Sequence, residues 1–458
     1  MSRQRRPYRS VAFLVLLGYI AVAALYVLVA GWAVASGHLR TTGHWHGSFG
    51  QTLLPRINDV VVFTFFLVCG ASVGSFLNVV VWRMPQGLSV NGHSFCPRCR
   101  NTLRARDNVP VFGWLWLGGR CRDCRLPISP RYPIVEAAVA ITFATIGTAE
   151  IYAWNLPYRS FGFQLAMASP RVDGGQLIIV LYHLVAMGIM WAMALIRYDR
   201  NRIPGRLVLF ATFWLVGGML LVPSAAVVPW QLKLPAAWPP SDWMFAGGRP
   251  FDPATLVQSF VRVLTALVAA GFYARVLARA FCPRADLKLD PLGDQTSRLL
   301  DLVLLIAVVS ILIGWQATSG VLLFASLLAC GVGVFFSKPT NKTPAATNTG
   351  IDSEITGPEI SHVSPSLRSS TGFVSADTDA LGRFSLCLPV ALLLQILLWR
   401  SLALSDWWPS EQAPRGVLLG FALATLFIPL WLREPRQFGQ SDFPSDDSPE
   451  ELNSGAPE

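Results

Sequence analysis

Charge is what this chain lacks. Lys, Arg, Asp and Glu together make up 14% of its 458 residues, where a soluble globular protein carries about 25%. That shortage excludes a fold with a solvated surface on every side. Acidic groups are the scarcer kind, 27 against 37 basic ones, which leaves a formal net charge of +10. Such an excess would suit nucleic acid, but positive charge gathered on one face of a polytopic membrane protein accounts for it, so no nucleic-acid partner is expected. An internal repeat, a phosphate-cradling glycine-rich loop and a Ser-His-Asp arrangement compatible with membrane topology are also missing. The first apolar run is too long for the core of a cleavable signal and has no convincing small-residue cleavage site, so it reads as a retained span.

What the chain has in abundance is apolar sequence, 53% of all residues. Runs of about 20 apolar residues, the length that crosses a bilayer, lie near 11–36, 60–82, 133–153, 175–196, 207–228, 255–280, 299–316, 320–337, 384–402 and 415–432. The fold predicted is therefore all-α, a polytopic transmembrane helix bundle of about ten spans embedded in lipid. Arg262 interrupts the sixth run, for which an interfacial amphipathic helix is the alternative. Arg3, Arg5, Arg6 and Arg9 precede the first span and place the N-terminus in the cytoplasm. Counting onward, the cytoplasmic segments 83–132, 197–206 and 281–298 carry the basic clusters, and the outer segments 37–59, 154–174 and 229–253 are sparse in them. Losing one span would invert everything after it, so this agreement supports counting the sixth. The location expected is the cytoplasmic (inner) membrane.

The domain reading follows from these runs: 1–59, an N-terminal span and outer loop; 60–153, a unit that includes a cysteine subdomain at 83–132; 154–337, a transmembrane domain; and 384–432, two C-terminal spans. The linker 338–383 and the acidic tail 433–458 are polar and poor in apolar periodicity, and are expected to be disordered because they bury too little to offset chain entropy. His44 and His46 have metal-like spacing, but a lone His-x-His is weak evidence.

Within 83–132 stand Cys96-x2-Cys99 and Cys121-x2-Cys124, separated by 21 residues. Each Cys-x-x-Cys turn brings two sulfurs to one side, and two such turns can close a tetrahedron around Zn²⁺. A reducing cytoplasm favours metal over disulfides, and four thiolates leave no open position, so the metal expected is a structural zinc in a zinc-ribbon-like insertion. Cys69, Cys282, Cys330 and Cys387 are unpaired in sequence and read as small core residues.

Three stretches, in this order and spacing, carry a resemblance: "GASVGSFLNVVVWRMPQG" at 70–87, the cysteine tetrad enclosing "RDNVPVFGWLWLGGRC", and "ISPRYPIVEAAVA" at 128–140. The chain resembles the prepilin peptidases, or type IV leader peptidases, over about 70 residues. The resemblance implies an integral-membrane aspartic endopeptidase that removes the basic leader of type IV prepilins or type II secretion pseudopilins at the cytoplasmic face. It also implies possession of N-methyltransferase activity using S-adenosylmethionine, although no residue independently reveals that cofactor's site. The alternative is a catalytically degenerate homologue that binds or assembles such substrates without cutting them.

Aspartic proteolysis needs two carboxyls close enough to share a proton. Asp199, in "ALIRYDRNRIPGRLVLF", resembles the first catalytic Asp of the family, with Ile203-Pro204 following it, although Gly205 stands where an acidic residue is often found. The second Asp is expected in a Gly-x-Gly-Asp motif about twelve residues before a Gly-Trp. Gly314-Trp315 is present, and two acids precede it. Asp301 lies 13 residues upstream but follows Leu299-Leu300, and Asp294 keeps the Gly-Asp dipeptide but lies 20 upstream. An ionisable group one turn inside an apolar run is a functional candidate by default, which favours Asp301 and keeps Asp294 as the alternative. Ser75 and Asn78 are placed for interhelical hydrogen bonds. Glu136 is placed either to meet a basic leader or to pair with Arg131.

Overall fold

The computed structural model describes residues 6–36, 48–96, 98–152, 174–222, 253–291, 293–336, 379–403, 405–410 and 413–432. The outer loops with His44 and His46, residues 338–378 of the expected linker and the tail 433–458 lie outside the described residues. Among those described there are helices and no strand, only two isolated bridges.

The helices are α1 (Arg6–Ala35), α2 (Phe49–Arg83), the short α3 (Phe112–Leu117), α4 (Arg131–Ile151), α5 (Gly174–Tyr198), α6 (Gly205–Thr212) running through a π-turn into α7 (Gly218–Leu221), α8 (Pro253–Phe281), α9 (Asp294–Phe336), α10 (Ala380–Ala403) and α11 (Arg415–Leu432). Seven of them are long and apolar enough to cross a membrane, and Gly205–Leu221 and Arg415–Ile428 are shorter apolar helices. Arg262 does not break α8. Its side chain is buried and turned inward.

α9 contains 43 residues, about 65 Å if straight, far more than a hydrocarbon core of about 30 Å requires. It is not straight. Gly314 has φ 80° and ψ 161°, a region that only glycine occupies readily. The Thr318 hydroxyl donates to Ser310 Oγ across 3.1 Å, although eight residues of unbroken helix would separate the two by about 12 Å. Arg298 near the start of α9 reaches Asp379 beside the start of α10, and Cys330 near the end of α9 lies within the field of Arg383, also at the start of α10. Gly320, by contrast, packs against Trp408 beyond the far end of α10. The helix therefore doubles back as a hairpin, with arms at 294–313 and 315–336. Arg262 donates to the Leu312 carbonyl next to the bend, at 3.3 Å. With this reversal, the ten apolar runs correspond to ten helical segments.

The motif at 70–87 owes Gly70 and Gly74 to packing. A Cβ on Gly70 would sit 2.8 Å from the Ala140 Cα, and one on Gly74 2.8 Å from the Glu136 Cα. This Gly-x3-Gly stripe lets the backbones of α2 and α4 touch, as small residues do between membrane helices. Asn78 adds a hydrogen bond to the Tyr132 carbonyl of α4 at 3.3 Å. The core then builds outward from α4 and α5 to the α9 hairpin and α10, with Val139, Met187, Met190, Ile306, Phe384 and Leu388 fully enclosed.

Candidate functional site at the arginine-rich end of the bundle

The four cysteines meet. Cys96 Sγ lies 3.9 Å from Cys124 Sγ, and Cys99 Sγ lies 3.9 Å from Cys121 Sγ, with all four sulfurs within 4.8 Å of one another. A tetrahedron of Zn–S bonds of about 2.3 Å has S···S edges of about 3.8 Å, so the sulfurs fit zinc. The two turns share one design. In each, the first cysteine's N–H bonds to a carbonyl five residues on, and the Arg after the second cysteine, Arg100 or Arg125, takes a left-handed φ near 60°. Arg122 ties the loop across the subdomain to Asp107. That contact, before any other influence, holds the Asp107 carboxyl below its ordinary value.

Glu136 does not pair with Arg131. Its Oε2 accepts the N–H of Val111 at 2.6 Å, and Ser75 reaches the same carboxyl. Val111 has φ 62° and ψ −56°, with Phe112 N–H donating to Pro110 O at 2.6 Å. This is a γ-turn of the rare positive-φ kind, so Glu136 fastens a strained turn of the cysteine subdomain to α4. The sequence reading missed this because the interacting group on the other side is a backbone amide, which has no signature in residue type.

Arg131, freed from Glu136, clamps Asp199. Its Nη1 and Nη2 lie 2.6 and 2.7 Å from Oδ1 and Oδ2 of Asp199. Asp199 follows the last residue of α5, where Arg200 (φ 61°) ends the helix in the left-handed region and Asn201 N–H returns to Ile196 O at 3.2 Å. Burial pushes the Asp199 carboxyl above its ordinary value, and the Arg131 charge pulls it back down.

The two candidate partners for Asp199 sit in different surroundings. Asp301 is buried, 4% exposed, and its Oδ1 accepts the N–H of Ile203 at 3.2 Å, four residues after Asp199. Its Oδ2 lies 3.7 Å from Arg197 Nη1 and makes no hydrogen bond. Asp294 has a 73% exposed side chain and pairs with Arg298 one helical turn further on, at 3.0 Å. The structure thus brings Asp301, and not Asp294, against the 199–203 segment. Among the described residues no hydrogen bond joins the Asp199 and Asp301 carboxyls; each faces an arginine of its own.

A groove of about 680 Å³ lies between α2 and α5, lined almost wholly by apolar groups including Phe65, Phe76, Leu181, Leu184 and Leu207. A nucleoside cofactor with its many polar atoms finds no fit there.

Residues 68–149 match the family described as Bacterial Peptidase A24 N-terminal domain. The chain is 44% identical over 95 residues to the "Type 4 prepilin-like proteins leader peptide-processing enzyme" of Escherichia coli O78:H11 (strain H10407 / ETEC), covering 17% of this chain and 35% of that one. It is 44% identical over 91 residues to a "Prepilin leader peptidase/N-methyltransferase" of Klebsiella pneumoniae, covering 18% of this chain and 40% of that one. A protein of the same description from Aeromonas hydrophila is 33% identical over 206 residues, covering 35% of this chain and 66% of its own length. The matched region thus spans from about a third to just under two thirds of these relatives. No solved structure matches.

Proposed function

We propose that the chain, whose N-terminal region matches the prepilin peptidase family, is a membrane aspartic endopeptidase removing the leader of type IV prepilins or type II secretion pseudopilins. The observation that carries this reading is the bond from Ile203 N–H to Asp301, which sets a buried carboxyl against the segment that bears Asp199. The orientation proposed puts this arginine-rich end at the cytoplasmic face of the inner membrane. The substrate's apolar helix lies in the groove between α2 and α5, whose lining reaches Leu207 beside the same end.

In the proposed reaction Asp199, charged beside Arg131, takes a proton from a water as its oxygen attacks the scissile carbonyl carbon. Asp301, protonated, donates to the carbonyl oxygen. Collapse of the tetrahedral intermediate breaks the C–N bond, and the leaving nitrogen receives a proton from the pair. Zinc held by Cys96, Cys99, Cys121 and Cys124 supplies no chemistry here; with every position taken by thiolate it braces the subdomain whose Val111 turn rests on Glu136. The relatives described as prepilin leader peptidase/N-methyltransferase extend the proposal to N-methylation of the new N-terminus.

A second reading has its own support. The bidentate Arg131–Asp199 pair is a complete ion pair, an arrangement that suits a carboxylate retained for structure. A homologue of that kind binds prepilin-like helices and assembles with them without cutting. Co-expression with a prepilin separates the two readings. The intact chain is expected to shorten the prepilin by its leader, seen as a mass shift. Asp199→Ala and Asp301→Ala abolish the shift, and Asp294→Ala retains it. A prepilin that co-purifies at full length with the intact chain favours the non-cutting reading.

A further inference from the structure

We infer that Asp379, brought to the site by the C-terminal pair of helices, is a positioning residue that holds the Arg197 guanidinium off Asp301 and leaves that carboxyl free to be neutral. The inference rests on the reading of Asp301 as one of the two catalytic acids.

Arg197 is 2% exposed, and a cation so deeply placed needs an anion beside it. Two are within reach. Its Nη2 lies 3.3 Å from Asp379 Oδ2, and its Nη1 lies 3.7 Å from Asp301 Oδ2. Full contact between guanidinium and carboxylate is about 2.7–2.9 Å, and Arg131 reaches Asp199 at 2.6 and 2.7 Å. Arg197 therefore hydrogen-bonds Asp379 and stops short of Asp301. The latter's Oδ2 remains without a hydrogen bond.

Asp379 is fixed from both sides. Its Oδ1 accepts the Gly382 N–H at 2.8 Å and so caps the N-terminus of α10. Its Oδ2 also faces Arg298 Nη1 at 3.5 Å. The helix behind it is anchored by Phe384 against Phe281 of α8, with ring centroids 5.3 Å apart. The charge of Arg197 is thus balanced whether or not Asp301 carries a charge of its own.

The other groups facing this pair are few. α5 contributes Arg197, the connection to α6 contributes Arg202 and the Ile203 amide, and α9 itself contributes Asp294 and Arg298. Cys282, just past α8, faces Arg298 and Arg197. Without the Asp379 charge, only the long bond from Arg197 Nη1 to the Asn201 carbonyl, at 3.5 Å, still holds Arg197 away from Asp301. An arginine in full contact favours the ionised carboxylate, and an ionised Asp301 cannot donate a proton to a carbonyl oxygen.

The test uses Asp379→Asn in the full chain, because Asn caps a helix as well as Asp does and only the charge is lost. One readout is the reaction of Asp301 with dicyclohexylcarbodiimide, which labels protonated carboxyls, mapped by peptide mass spectrometry across pH; it needs no turnover. The other is prepilin cleavage across pH. In Asp379→Asn the labelling midpoint of Asp301 is expected to fall by about one pH unit, and kcat at neutral pH by about tenfold with KM little changed. Asp379→Asn combined with Arg197→Gln is expected to return the midpoint to the parent value or above it. A midpoint and pH profile that do not move in Asp379→Asn, in a chain whose cleavage is lost in Asp199→Ala and Asp301→Ala, overturn the role of Asp379 and leave the peptidase reading standing. A midpoint that moves in a chain that cuts no prepilin upholds the contact and removes the catalytic role of Asp301.

Discussion

Adding one carbon at Gly314 tests the hairpin on which the position of Asp301 depends. Gly314→Ala places a side chain at φ 80° and ψ 161°, a conformation that costs an L-residue about 1–3 kcal/mol. Steric conflict adds little. The new Cβ would lie 3.0 Å from Gln316 Oε1, the end of a flexible side chain, and 3.7 Å from Arg262 Nη2. Gly331→Ala is the matched control, since that glycine lies in the second arm and a Cβ there meets nothing within 4 Å. In regular helix the same change is favourable by up to about 1 kcal/mol. Two chemically identical substitutions in one hairpin should therefore differ by about 1–4 kcal/mol in stability, read by reversible unfolding in detergent with tryptophan fluorescence. A second measurement fixes the cause. Ser310→Cys with Thr318→Cys should form a disulfide, mapped by mass spectrometry, because the side-chain oxygens at these positions are 3.1 Å apart. A continuous helix would hold the two positions about 12 Å apart, beyond the Cα separation that a disulfide tolerates. Equal stability of the two alanine variants together with no crosslink would refute the hairpin.

Two further outcomes concern the cysteine subdomain. Purified chain should hold about one zinc, measured by elemental mass spectrometry, and Cys96→Ser or Cys121→Ser should remove it and speed proteolysis between residues 96 and 128, whereas Cys282→Ser should do neither. Arg122 depresses the folded value of Asp107, so the stabilisation from this pair is present above the ordinary aspartate value and is lost as pH falls through the depressed one. Asp107→Asn should accordingly raise hydrogen exchange across 96–128 at neutral pH and change nothing in strong acid.

Much of the bundle was legible because a membrane span announces itself by length and hydropathy. The ten apolar runs met ten helical segments, including α8 despite Arg262 and both arms of α9. The cysteine tetrad was legible for a similar reason: the turn geometry of Cys-x-x-Cys is local, and two local turns needed only to meet. Pairing across the bundle was not legible. Arg131 and Glu136 lie five residues apart on α4, which turns their side chains about 140° from each other, and Arg131 turns to Asp199 and Glu136 to the Val111 amide. Nothing in a run of residues records which tertiary neighbour approaches each face of a helix. Asp379 was hidden in the same way, at the edge of a polar segment that composition marks as linker.

The choice between Asp301 and Asp294 shows how far a spacing can be trusted once its physical origin is known. The bend at Gly314 is a fixed point in the bundle, and the helix upstream of it is a ruler of about 1.5 Å per residue. Asp301 falls about 20 Å below the bend and Asp294 about 30 Å, which takes Asp294 out to the exposed end of the arm. The interval to Gly314-Trp315 thus puts Asp301 inside the bundle, and the Gly-Asp dipeptide at 293–294 puts Asp294 at its exposed end. The leucines that replace the family's glycines have a visible consequence too: Leu299 is packed into the core at 5% exposure, so the helix is held by packing at the very place where glycine would leave it pliable. The charges nearby then divide in a telling manner. Arg131 belongs to Asp199, Arg298 to Asp294 and Asp379, and Arg197 to Asp379 before Asp301. Of these four carboxyls Asp301 has the weakest hold on a cation, with Arg197 standing 3.7 Å away, and its side chain is the least exposed to water.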